Sequence, residues 1–119
     1  MIDRERLLIL RQTKEFSRFD ATRLRSLLPF IDEACIPAGM LVAQEGRLCH
    51  EFVIVAAGEL ESCRHGTPGS IGPGDAFGWR EMRDRRPHDA SVRAVSPAHL
   101  LVMSHEQFRA AEALAIPLR

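Results

Sequence analysis

The chain of 119 residues has room for one domain and one modest core, and its 45% hydrophobic and 27% charged content is that of an ordinary globular protein. No apolar run approaches the ~18 residues of a membrane span, and the start Met-Ile-Asp-Arg-Glu-Arg has neither the charge pattern nor the apolar core of a cleavable leader, so no membrane partner and a cytoplasmic location are expected. Sixteen basic against sixteen acidic side chains give a formal net charge of zero, which argues against a general nucleic-acid binder, whose phosphate contacts need clustered positive charge.

Asp3 opens a helical segment from Arg4 to about Lys14, with Leu7, Leu8 and Leu10 on a broad apolar side. After Phe16-Ser-Arg-Phe19, Asp20 is placed to cap a second helix, Ala21 to Leu28, whose Leu24, Leu27 and Leu28 fall on one face before Pro29 disfavours continuation. From Glu33 onward short apolar runs are cut by glycine and proline, the signature of an all-β sandwich, roll or barrel. Strands are predicted at Glu33–Pro37, Met40–Gln44, Glu51–Ala56, Glu59–Arg64, Ala90–Val95 and His99–Met103. Between them Pro37-Ala-Gly39, Glu45-Gly46, Ala57-Gly58 and Pro68-Gly69 each suit a turn with glycine at positive φ. Ser104-His-Glu-Gln107 forms a capping box ahead of Phe108, Ala111 and Leu114, so a closing helix over 104–116 is expected, stopped by Pro117.

Cys35, Cys49 and Cys63 form no Cys-x-x-Cys pair and read as free thiols. Cys63 and His65 would share a strand face, but two ligands do not complete a tetrahedral zinc shell, and no metal site is expected. The five histidines, His50, His65, His88, His99 and His105, mark no triad and no metal cluster.

The stretch Gly72 to Ala94 carries the strongest local signal: Gly72-Pro-Gly-Asp-Ala-Phe-Gly78 runs into a short helix, a transition that offers backbone N–H groups to an anion. Together with Phe16…Phe19-Asp20…Leu24…Leu28, Ile36-Pro-Ala-Gly39, Glu45-Gly46, Phe52-Val-Ile-Val-Ala-Ala-Gly58-Glu-Leu60, Pro87…Ala90-Ser-Val-Arg-Ala94 and Ser104-His-Glu-Gln-Phe108, it resembles the cyclic nucleotide-binding domains of catabolite-activator-type regulators, cyclic-nucleotide-dependent kinases and gated channels. The resemblance covers almost the whole chain. It implies a mainly β fold, a double-stranded β-helix or jelly-roll-like β-roll, flanked by N-terminal helices and a short C-terminal helix. One domain over 1–119 is expected, with a helical lead-in at 1–30, the roll at 31–104 and its phosphate-binding cassette at 72–94.

The resemblance also implies a ligand site, with Phe77, Gly78, Trp79, Arg80, Glu81, His88, Asp89, Ala90 and Ser91 as the candidate cassette residues and cAMP or cGMP as the ligand class. The family cassette usually reads Phe-Gly-Glu-Leu-Ala and then Pro-Arg-Ala-Ala-Thr-Val, whereas here it reads Phe77-Gly-Trp79-Arg80-Glu81 and then Pro87-His88-Asp89-Ala90-Ser91-Val92. In the family the glutamate accepts from the ribose hydroxyl and the arginine pairs with the cyclic phosphate. Trp79 can only donate, and His88 is shorter and mostly neutral near neutral pH. Glu81 and Asp89 add carboxylates where small residues are usual. Losing two charge-assisted contacts of roughly 1.5–3 kcal/mol each weakens binding by about a hundredfold to ten-thousandfold. Trp79 has two readings, a stacking platform or a hydrophobic plug for the nucleotide cavity, with the plug favoured. Arg80 stands where leucine is usual, so either the short helix turns Trp79 into the core or Arg80 points toward the ligand space.

The leading expectation is a stand-alone regulatory module with an altered pocket and weak or no binding of cAMP or cGMP. The alternative is a non-binding interaction or dimerisation module. A cupin-like metal enzyme is the weakest reading, since no His-x-His pair is followed by a usable glutamate, and no enzymatic activity is expected. Family regulators continue into a helix-turn-helix domain, but this chain ends at Arg119, so no DNA-binding domain is expected. Phe108, Ala111 and Leu114 suit either a homodimer seam or packing against Leu24 and Leu28, with the homodimer weakly favoured.

Overall fold

The computed structural model describes residues 1–115, so the expected stop at Pro117 and the last position of the closing helix lie outside the described residues. The lead-in is α1, Asp3–Gln12, then a 3-10 turn at Lys14–Phe16, α2 at Ala21–Leu27 and a second 3-10 turn at Leu28–Phe30 that contains Pro29. Helix α1 ends earlier than its pattern predicts because Thr13 is extended, and its fully buried side chain turns back so that Oγ1 donates to the Ile9 carbonyl at 2.9 Å. Asp20 caps α2 as expected, its carboxylate accepting from the Arg23 N–H at 2.8 Å.

The strands are β1 Asp32–Ile36, β2 Leu41–Ala43, β3 Phe52–Ala57, β4 Leu60–Arg64, β5 Thr67–Ile71, β6 Ala76–Phe77, β7 Ser91–Ala94 and β8 Ala98–Met103, with α3 at Trp79–Asp84 and α4 at His105–Ala115. They form two four-stranded antiparallel sheets, ordered β1-β8-β3-β6 and β2-β7-β4-β5. This is the expected roll of mainly β structure flanked by helices. All six predicted strands are present, with bounds within two residues of those read from the sequence.

Two strands escape the sequence pattern. Pro68-Gly69 is not a turn but the middle of β5, with Cys63 opposite Pro68 and Ser62 opposite Gly69. Proline is tolerated there because β5 is an edge strand whose outer N–H groups need no partner. The turn lies at His65-Gly66, where both residues have positive φ, 49° and 82°, matching the twist of a tight hairpin. Strand β6 is only two residues long, too short for any periodicity, and is held by Val53 opposite Phe77 and Ile54 opposite Ala76.

Two apolar layers share β3 and β8. Between the sheets lie Val53, Val55, Leu60, Val92, Ala94 and Leu100; on the outer face of the first sheet Phe52, Ile54, Leu101 and Met103 meet Leu10, Phe16, Leu24 and Leu27 of the lead-in and Phe108 and Ala111 of α4. Alternation along β3 therefore buries both faces, which is why Phe52-Val-Ile-Val55 reads as an unbroken apolar run. Ser104 and Gln107 cap α4 reciprocally, the Ser104 N–H donating to Gln107 Oε1 at 2.8 Å. Phe108 and Ala111 are buried in the same layer as Leu24 and Leu27, so these two residues pack within the chain and do not supply a dimer seam.

Candidate functional site

The cassette is built on a backbone constraint. Gly78 leaves β6 at φ 99° and starts α3; a Cβ here would lie 2.7 Å from the Glu51 carbonyl oxygen, so only glycine lets the chain turn this close to the start of β3. Helix α3 has six residues, its Met82 N–H donating to the Gly78 carbonyl at 2.9 Å. Arg85 ends it at φ 54°, and the Arg86 N–H closes on the Glu81 carbonyl at 2.8 Å. The return segment is pinned by the His88 N–H donating to the Arg47 carbonyl at 2.8 Å, by the Gly46 N–H donating to the His88 carbonyl at 2.9 Å, and by Ser91 Oγ accepting from the Glu45 N–H at 2.9 Å.

Between this cassette and the second sheet lies a cavity of about 220 Å³. Ile71, Phe77 and Val92 form its apolar side, while Ser62, Arg64, Glu81, His88 and Asp89 supply polar groups around Ala90. Of the nine sequence-predicted site residues, Phe77, Glu81, His88, Asp89 and Ala90 thus come together at one cavity. Gly78 is the buried hinge behind it, Arg80 is exposed, and Ser91 is engaged with the Glu45 N–H.

Trp79 is turned into the core, the first of the two outcomes left open by Arg80 at the usual leucine position, and not into the cavity as a plug or a stacking platform. Its indole packs edge-on against Phe16, Phe52 and Phe108, with ring centroids at 5.5, 5.1 and 4.7 Å, in the layer beneath the helices. The indole therefore neither plugs the cavity nor faces it. A six-residue helix that begins at a fixed glycine has one orientation once Met82 is buried, and the first residue is carried to the opposite side from Glu81.

Arg64, Ser62 and Ile71 were missed at the sequence level. They stand on β4 and β5, and the hairpin that brings them to the cassette was hidden by reading Pro68-Gly69 as a turn. Arg64 is the only arginine or lysine on the cavity wall among the described residues, and its Nη2 sits 3.1 Å from Asp89 Oδ2 in an ion pair open to solvent. Burial, followed by the nearby Asp89 carboxylate, pushes the Glu81 carboxyl above the usual range. Burial also pushes the His88 imidazole below its ordinary value, reinforced by His50 and opposed by Asp89. At neutral pH the wall therefore presents a neutral His88, the carboxyl groups of Glu81 and Asp89, and one guanidinium already paired. Glu81 also lies in the first turn of α3, where its charge offsets the positive end of that helix.

A sequence profile described as the cyclic nucleotide-binding domain matches residues 34–113. The fold is similar to that of the regulatory domain of Toxoplasma gondii PKA solved with cAMP, with a TM-score of 0.83 and 28% identity over 95% of this chain and 46% of that one. It is also similar in fold to the N-terminal domain of a transcriptional regulator from Streptomyces coelicolor A3(2), with a TM-score of 0.79 and 20% identity over 91% of this chain and 82% of that one. The chain thus spans less than half of that solved Toxoplasma chain. No curated protein matches the sequence. With the roll, its cassette and a profile match over most of its length, the chain belongs to the cyclic nucleotide-binding domain family.

Proposed function

We propose that this chain is a regulatory, non-catalytic sensor module whose cassette cavity has been altered so that cAMP and cGMP bind weakly or not at all. The reading rests on the charge of the cavity wall: two carboxylates and an uncharged His88 face the space, and Arg64 is held by Asp89. An anionic ligand would have to break that pair and approach Glu81 across an apolar floor that does not screen the repulsion. The free thiols of Cys35, Cys49 and Cys63 fit a reducing, cytoplasmic setting, and no helix of the described residues is long and apolar enough to cross a membrane. A homodimer or another protein would receive the signal through a surface other than that formed by Phe108 and Ala111.

Melting measurements with added nucleotide test this directly. Millimolar cAMP or cGMP is expected to leave the melting temperature of the natural chain unchanged. The E81A/H88R variant, which removes one carboxylate and supplies a permanent cation, is expected to gain a measurable shift, as the estimated loss of about a hundredfold or more is partly reversed. Micromolar binding by the natural chain overturns the proposal.

A further inference from the structure

A second cavity beside the cassette shares no lining residue with the first. It measures about 230 Å³ and is lined by Leu48, Arg85, His105 and Arg109. Two guanidinium groups and an imidazole thus share one concavity, and the imidazole of His50 stands edge-on to that of His105 at 5.8 Å. Among the described residues neither Arg85 nor Arg109 has a carboxylate within salt-bridge distance.

Arg85 occupies a position that the fold alone does not favour. It takes φ 54° at the end of α3, a conformation that glycine or asparagine adopts at lower cost than arginine. His105 and Arg109 lie on one face of α4, four residues apart, in the N-terminal half of an 11-residue helix. A strained arginine, a second guanidinium and an imidazole around one concavity are suited together to one negatively charged occupant.

We infer that Arg85, His105 and Arg109 form an oxyanion-binding site, for a phosphate or a carboxylate, that links the end of the cassette helix α3 to the closing helix α4. The fork of each guanidinium offers two parallel donors to such an anion, and Leu48 lines the same concavity. The site does not depend on what fills the cassette cavity, since none of its residues lines that space. Its effect would be to fix α3 against α4, and so to bias the element that carries Glu81.

Scanning calorimetry of the whole chain in sodium phosphate, against sodium chloride at equal ionic strength, tests the site without any cyclic nucleotide. Phosphate at about ten times its Kd is expected to raise the melting temperature by about 5 °C over chloride. In R85G/R109Q this rise is lost, while the melting temperature in chloride is equal to or above that of the natural chain, because strain and like-charge crowding have been removed. The single R85G variant, which keeps the turn, is expected to lose most of the rise as well. Co-sedimentation with phosphatidylserine but not phosphatidylcholine vesicles, abolished by R85G/R109Q, would assign the oxyanion to a lipid headgroup; a phosphate response without sedimentation assigns it to a soluble ligand. A rise of equal size in chloride, or one that persists in R85G/R109Q, overturns the inference.

Discussion

Glu81 and His88 are both half-buried at the same cavity, and burial shifts them in opposite directions. The folded chain holds the Glu81 proton more tightly than the unfolded chain does. The stability contributed by that group is therefore full below the ordinary carboxyl range and is lost as pH rises through the raised folded value. His88 has the reverse sign: its contribution is present above the ordinary imidazole range and is lost as pH falls through its depressed value. E81Q removes the first effect alone. It is expected to stabilise the chain at neutral pH by a few tenths to about 1 kcal/mol, a figure discounted for solvent screening of a partly exposed group. The gain should fade toward about pH 4, where the natural carboxyl is itself protonated. Urea denaturation of both proteins at the two pH values checks this; a destabilised E81Q at neutral pH would show that the carboxylate has a partner that outweighs its burial.

At the scale of elements, α3 shows what local sequence can and cannot carry. Its start was legible because Gly78 must take a positive φ against the Glu51 carbonyl, and its frame was legible from Phe77, Pro87 and Val92. The caps of α2 and α4 were legible too, since Asp20 and Ser104 bond within three residues of themselves. The direction of Trp79 was not, because six residues give no apolar periodicity and the deciding partners, Phe16, Phe52 and Phe108, come from three distant segments. For the same reason the Arg64–Asp89 pair left no sequence signal: it depends on an edge hairpin whose β5 is polar and carries Pro68. With Trp79 as a structural anchor, W79A is expected to destabilise the chain by about 2–4 kcal/mol, from lost burial and edge-on aromatic contacts, and W79F by clearly less. Thermal melts of the two variants decide this; a W79A chain as stable as the natural one would mean that α3 is not anchored by its indole.

At the scale of the whole molecule, the two apolar layers are not separate bodies, because β3 and β8 present side chains to both. Along β3, Phe52 and Ile54 face the helices while Val53 and Val55 face the second sheet; along β8, Leu101 and Met103 face the helices while Leu100 faces inward. Removing either layer therefore exposes one face of the strands that hold the other, and a strand with one face solvated loses the burial that fixes its register. Such coupling favours a single cooperative transition. Trp79, the only tryptophan, lies in the helical layer and reports it by fluorescence, whereas far-ultraviolet circular dichroism is dominated by the sheets and helices together. The two denaturation curves are expected to coincide. L100A, in the layer between the sheets, should lower stability by about 2–5 kcal/mol and shift the Trp79 curve by the same amount as the dichroism curve, although Leu100 and Trp79 lie in different layers. An L100A chain in which dichroism is lost while the fluorescence midpoint stays in place would show that the helical layer folds on its own, and that ligand events at the cassette need not reach the roll.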